Sequence, residues 1–503
     1  MAKRTPTLVK PTLDKDLDKV TYVEQASIFV GRGLAPVGVG LVFLIVMTLF
    51  AGALASGQPG GLIVVAAATL GIYMAMNIGA NDVTNNVGAA VGARAISLAA
   101  ALAMAAVFEI AGAVIAGGDV VRTISSSLLD GTDIIQHPYL MSFTMLSALL
   151  AAALWINIAT WSGWPVSTTH SIVGAVMGAG IAAAGPSAVD WATIAGITAS
   201  WVVSPLLGGL IAAAILWFVK TVIIYQEDKI SAARTWVPVL IGIMTGAFAC
   251  YLTVKGVGQV YPLSMSDALT LGVTIGLAAW LVTIPLVARQ SVGLDNRNQS
   301  LRVLFRMPLI FSAALLSFAH GANDVSNAIG PVTAVVNALG ANGPVTDAPP
   351  PIWIIWIGAL GISAGLLLFG PKLIRIVGEQ ITRLNPMRAY CVALSAALTV
   401  IGASWLGLPV SSTHIAVGSV FGVGLFREWY TRNSKRRLAY IQSKARNWEV
   451  EDSRDSNPDE RHRRKLVRRS HLMSILAAWV VTLPCSAGLA TLINFAMLAI
   501  FVR

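Results

Sequence analysis

Charge is scarce in this chain, and in its most apolar stretches positive charge is missing altogether. Of 503 residues, 56% are hydrophobic and 12% charged, with a mean hydropathy of +0.73. That balance excludes an ordinary soluble domain and fits a polytopic helical membrane protein. Cysteine is nearly absent as well. Cys250, Cys391 and Cys485 all fall in apolar segments, so there is no disulfide framework and no metal-ligand spacing. The N-terminus lacks the short basic start and small-residue cleavage site of a signal peptide, and 1–33 reads as a cytoplasmic tail. No organic cofactor is called for.

What the chain does have is a series of apolar runs long enough to span bilayer hydrocarbon. They fall near 34–55, 62–93, 95–117, 141–161, 164–182, 191–217, 236–252, 267–288, 308–336, 351–370, 389–406, 409–426 and 472–497. Thirteen crossings with a cytoplasmic N-terminus place 32 of the 35 Lys/Arg on the cytoplasmic side, leaving only Arg122, Lys255 and Arg503 outside. This is the partition the positive-inside rule demands, and it explains the net charge of +11 without any nucleic-acid partner. The insert 427–471 carries fourteen Lys/Arg interrupted by acids. It reads as an orientation signal and solvated cytoplasmic loop, with contact to anionic lipid headgroups as the sharper alternative.

Two motifs occur twice. Gly79-Ala80-Asn81-Asp82-Val83-Thr84-Asn85 returns as Gly321-Ala322-Asn323-Asp324-Val325-Ser326-Asn327, 242 residues on. Pro165-Val166-Ser167-Thr168-Thr169-His170 returns as Pro409-Val410-Ser411-Ser412-Thr413-His414 at an offset of 244, and Trp201-Val202-Val203 as Trp479-Val480-Val481 at 278. The predicted topology runs the two copies in opposite directions. The expectation is therefore an all-α polytopic membrane protein of about 12–13 transmembrane segments, built from two inverted five-segment repeats with broken helices. The first repeat is 62–217 and the second 308–497, joined by linking helices over 236–288, with 34–55 as an additional helix. The 62–93 and 308–336 stretches are too long for simple helices, so each is expected to break at its motif, where Gly79 and Gly321 permit unusual dihedrals.

A carboxylate in such a segment costs about 2.5–3.5 kcal/mol on insertion scales and marks a functional site by default. Asp82, Glu109 and Asp324 are the clear acids of the spans, which contain no Lys or Arg. These oxygens suit small cations, with Asp82 and Asp324 as ligands to sodium if sodium is the ion. Neutral donors surround them: Asn81, Asn85, Asn323 and Asn327 bring amides, and Ser167, Thr168, Thr169, Ser411, Ser412 and Thr413 bring hydroxyls. The proline of each second motif suits the first turn of a new helix, whose free N–H groups make an anion site. Two such starts are expected to face one another, forming a neutral-donor anion pocket beside carboxylate cation sites. A remote alternative makes Ser/Thr and His170 or His414 nucleophile and base of an intramembrane enzyme, but no third orienting acid follows at a fixed offset. His170 and His414 are expected to be packed and hydrogen-bonded rather than titrating.

In both motif pairs, and in Phe108-Glu109-Ile110-Ala111-Gly112-Ala113, the chain resembles the inorganic phosphate transporter (PiT) family, over roughly 62–497. The resemblance implies no enzyme but a homodimeric symporter in the cytoplasmic membrane, moving inorganic phosphate with sodium or protons. On it, Asp82, Asp324 and Glu109 serve cation coupling, and the asparagines and hydroxyls bind phosphate. A sulfate or metal–phosphate permease on the same fold is the alternative. The animal branch of the family carries a glutamate where this chain has the apolar run Cys391-Val392-Ala393-Leu394.

Overall fold

The computed structural model describes residues 34–435 and 469–501, apart from 131–133, 135, 163, 165, 259–260, 262, 341–348 and 381–383. The N-terminal tail and most of the basic insert lie outside the described residues. Those described form helices and no strand, apart from a lone bridge between Leu129 and Val189. In chain order the helices are α1 (Leu34–Ala55), α2 (Gly61–Gly92), α3 (Leu98–Ala116), α4 (Gly118–Ser126), α5 (Pro138–Ser162), α6 (Thr168–Ala184) and α7 (Trp191–Val219). They continue with α8 (Lys229–Leu252), α9 (Met265–Gln290), α10 (Arg306–Leu339), α11 (Ile352–Gln380), α12 (Pro386–Trp405), α13 (Ser412–Asn433) and α14 (Arg469–Phe501).

Eleven of the described helices are long and apolar enough to cross a membrane. The two remaining predicted spans are α6 and α13. At 17 residues α6 reaches only about 26 Å, short of a 30 Å hydrocarbon core. The last turns of α13 carry Arg427, Glu428 and Arg432. Both helices start inside the protein, capped by Ser167 and Ser411.

The breaks expected at the Gly-Ala-Asn-Asp motifs are absent: α2 and α10 run unbroken through Gly79 and Gly321. The glycines serve close approach instead of unwinding. A Cβ on Gly79 would lie 1.9 Å from the carbonyl oxygen of Ile362 in α11, and one on Gly321 would lie 2.1 Å from that of Glu109 in α3. Chain interruption occurs further along each half, between α5 and α6 and between α12 and α13, at the Pro-Val-Ser motifs. There Gly407, at φ 67°, takes the left-handed conformation that ends α12.

Each motif helix thus packs on the second helix of the other half. The same exchange holds further along. A Cβ on Gly178 of α6 would lie 2.2 Å from the Ala487 oxygen of α14, and one on Gly422 of α13 would lie 2.1 Å from the Gly209 oxygen of α7. Gly178 and Gly422 are separated by the 244-residue offset, and Gly209 and Ala487 by 278, so equivalent positions make equivalent contacts. The halves are interlocked rather than side by side. Outside this core, α8 and α9 close on one another through Gly242, Gly246, Gly272 and Gly276, and α1 lies on α2 and α11 with a Thr48–Thr69 hydroxyl bond of 3.0 Å.

Candidate functional site

The interlocking brings both motif helices and both interrupted helix starts to one place. Asp82, on α2, collects donors from both halves. Its Oδ1 accepts from Thr413 Oγ1 at 2.8 Å, Asn81 Nδ2 at 3.1 Å and Asn85 Nδ2 at 3.2 Å, and its Oδ2 from Thr168 Oγ1 at 3.3 Å. Asp324, on α10, accepts from Ser412 Oγ at 2.8 Å through Oδ2. The two carboxylates are 99–100% buried, and no Lys or Arg touches them among the described residues.

The asparagines tie these acids to the helix starts. Asn85 donates to Thr413 Oγ1 at 2.9 Å and Asn327 to Thr169 Oγ1 at 3.1 Å. Thr169 in turn donates to the Val410 carbonyl at 3.0 Å, so the start of α6 touches the loop that opens α13. Asn323 is held from both ends: its amide donates to Ser404 Oγ and the Leu408 carbonyl, and its oxygen accepts from Val410 N at 3.2 Å. Asn81 reaches the Val166 carbonyl only at 3.5 Å. Ser167 and Ser411 accept from the backbone N–H of His170 and His414 respectively, as helix caps do. All ten predicted anion-binding residues and all three acids therefore fall in one region, buried except for the half-buried Asn81 and Asn85.

The sequence reading missed His320. It sits one residue before the second motif, fully buried, with Nε2 2.9 Å from Asp324 Oδ2 and 3.7 Å from Asp82 Oδ2, and Nδ1 3.2 Å from Glu109 Oε1. Glu109 also accepts from Asn86 Nδ2 at 2.8 Å. The available signal was a mismatch between the copies, because Ile78 precedes Gly79 where His320 precedes Gly321. His170 and His414 pack as expected, but the hydrogen bonds expected of their imidazoles are absent among the described residues, because the rings are enclosed by other rings. Their rings lie 4.5 Å apart, each against a tryptophan, Trp201 at 3.8 Å and Trp479 at 3.6 Å. Neither imidazole hydrogen-bonds a hydroxyl, so the nucleophile–base pair of an enzyme is not assembled.

Ligand atoms of Asp82, His320 and Asp324 all lie within 4.8 Å of one another. Four buried side-chain oxygens here have no hydrogen-bond partner: Asn86 Oδ1, Glu109 Oε2, Asp324 Oδ1 and Asn327 Oδ1. Hard oxygen atoms of carboxylates and amides are what an alkali cation takes. Beside them stand hydroxyls that can turn to a second acceptor.

Comparison with known proteins fits this arrangement. The model of a phosphate transporter family matches residues 78–490, which span both motif pairs. The chain belongs to that family. A candidate phosphate permease of Helicobacter pylori is 42% identical, over 96% of this chain and 98% of its own. One of Haemophilus influenzae is 33% identical, over 88% and 99% respectively. A solved structure described as the sodium-dependent phosphate transporter superposes with a TM-score of 0.75 at 32% identity, covering 88% of this chain and all of that one. The family is one of multi-pass membrane transporters, not of enzymes.

Proposed function

We propose that this chain is a symporter that carries inorganic phosphate into the cell together with cations, with sodium as the coupling ion. The observation that carries the reading is the merging of two carboxylates and two hydroxyl-bearing helix starts into one cluster that, among the described residues, holds no lysine or arginine. A dianion moved inward against 100 mV costs about 4.6 kcal/mol, at about 2.3 per charge. With no Lys or Arg to hold it, co-transported cations have to offset that charge. The likeness to the sodium-dependent phosphate transporter favours sodium over protons.

The shared donors suggest how the two solutes help each other. Thr168, Ser412 and Thr413 give their hydroxyl hydrogens to Asp82 and Asp324. A cation seated on those carboxylates satisfies them in another way and releases the hydroxyls to the oxyanion. Coupling of this kind is reciprocal, so sodium should tighten phosphate binding by the same factor that phosphate tightens sodium binding. The opposed direction of the two motif helices, the cytoplasmic N-terminus and a homodimer in the cell membrane complete the reading, on the strength of the charge partition and the family resemblance.

The test is phosphate uptake into proteoliposomes. An imposed sodium gradient is expected to drive accumulation, and uptake indifferent to sodium and proton gradients would contradict symport. Excess arsenate, which keeps a proton at neutral pH as phosphate does, should compete far better than sulfate. A carboxylate or amide oxygen accepts that proton, and sulfate leaves the acceptor unpaired. Equal competition by sulfate would remove the phosphate assignment and leave the transporter.

A further inference from the structure

Far from the buried cluster, the ends of α7 and α13 enclose a groove of about 270 Å3 lined by Trp217, Thr221, Trp429, Tyr430 and Ser434. Two of its walls are tryptophans more than half exposed, Trp217 at 52% and Trp429 at 59%. In α13 the exposed residues Leu425, Trp429 and Arg432 follow at i, i+4 and i+7, so they share one face. In α7 Leu210 and Trp217, seven residues apart, do the same. Read along that face, side chains pass from aliphatic to aromatic to cationic. This is the order in which a bilayer passes from acyl chain to interface to headgroup.

Basic residues adjoin this lining in sequence, Arg432 three residues after Trp429 and Lys435 directly after Ser434. Arg432 and Lys435 are both exposed, while the neighbouring acid Glu428 is only half so. Tyr430 of the lining is fixed from two sides. It stacks on Tyr225 at 5.8 Å, and the Lys220 ammonium lies 4.3 Å from its ring centroid. One wall of the groove is therefore a firmly packed aromatic ring. By the charge partition this end of both helices is the cytoplasmic one.

We infer that this groove binds the headgroup of an anionic phospholipid of the cytoplasmic leaflet, its phosphate at Arg432 and Lys435 and its glycerol region between Trp217 and Trp429. The site is separate from the transport cluster and does not depend on the transport reading.

Native mass spectrometry of the full-length protein, equilibrated with equal dioleoyl-phosphatidylglycerol and dioleoyl-phosphatidylcholine, tests it. The wild type should retain the anionic lipid preferentially. Arg432→Gln and Lys435→Gln should each lower that preference about fivefold, the equivalent of one basic side chain at an anionic surface. Arg432→Lys, which keeps the charge, should preserve it, and Trp429→Ala should reduce retention of both lipids. Millimolar inorganic phosphate should leave the preference unchanged. A wild type without preference, or one unaltered by both charge removals, overturns the inference. Displacement of the lipid by inorganic phosphate also overturns it, assigning the groove to the free anion.

Discussion

The two Gly-Ala-Asn-Asp copies are nearly identical in sequence and unlike in surroundings. In the first copy Asn81, Thr84 and Asn85 remain partly exposed, whereas Asn323, Ser326 and Asn327 of the second are buried to within 1%. Behind Gly79 stands Ile362, and behind Gly321 stands Glu109. Before Gly79 stands Ile78, and before Gly321 stands His320. The repeat thus supplies the same ligand atoms twice, while unrepeated neighbours decide what each set can do. We propose from this asymmetry that the first copy meets the solute and the second, braced by an acid–imidazole pair, anchors the site.

The largest effects should come from the glycines, where the comparison can be broken most directly. Gly79→Ala and Gly321→Ala both drive a methyl group into a carbonyl oxygen, at 1.9 and 2.1 Å. Neither variant should yield folded protein by size-exclusion chromatography. The next paired glycines should differ. Gly88→Ala meets nothing nearer than Thr84 Cβ at 3.9 Å, but Gly330→Ala meets Ile124 at 2.6 Å. Overpacking of this kind costs about 1–3 kcal/mol, so only Gly330→Ala should lower the melting temperature. Equal damage at both positions would contradict the claimed difference in surroundings.

Asp82→Asn and Asp324→Asn keep size and remove the charge and one of the two acceptor oxygens, and each should abolish sodium-driven uptake in protein that still inserts. Asp324→Asn should also lower thermal stability, because it takes the carboxylate away from His320 at 2.9 Å in a fully buried setting. His320→Ile, which gives the second copy the neighbour of the first, should remove most transport by leaving Glu109 and Asp324 without the imidazole that stands between them. Wild-type uptake in His320→Ile would mean that the asymmetry is without consequence.

Much of this was legible in the sequence because charge and repetition survive without coordinates. Asp82, Glu109 and Asp324 stand out against apolar spans, and the doubled Ser/Thr-His motifs announce their helix starts through proline. The interlocking was not legible. A glycine inside an apolar helix signals either unwinding or close approach, and only the carbonyls of Ile362 and Glu109 decide for the second. His320 escaped for a related reason. A lone histidine next to a motif has no periodic signature, and its role comes from three acids, two of them on other helices. Asn86, whose amide holds Glu109 at 2.8 Å, was hidden in the same way.

The hydroxyls should give graded effects. Removing one charge-assisted donor costs about 1.5–3 kcal/mol, or about 10- to 150-fold in affinity. Ser412→Ala and Thr168→Ala should both raise the half-saturating phosphate concentration. Unchanged values in both variants would place the anion elsewhere.

The smallest effects should come from the first asparagine of each motif, and they sharpen the comparison most. Asn323 makes three bonds in a buried setting, to Ser404, Leu408 and Val410. Its removal leaves buried groups unsatisfied at about 1–3 kcal/mol. Asn81 is partly exposed and reaches across to the other chain segment only at 3.5 Å, so its loss should cost about 0.5–1.5 kcal/mol or less. Asn323→Ala should therefore lower the melting temperature by more than Asn81→Ala does. In transport the order should reverse: among protein that remains folded, Asn81→Ala should shift half-saturation more, because Asn81 is the partly exposed one of the pair. A larger thermal shift in Asn81→Ala than in Asn323→Ala would show that the anchoring half of the site has been assigned to the wrong motif.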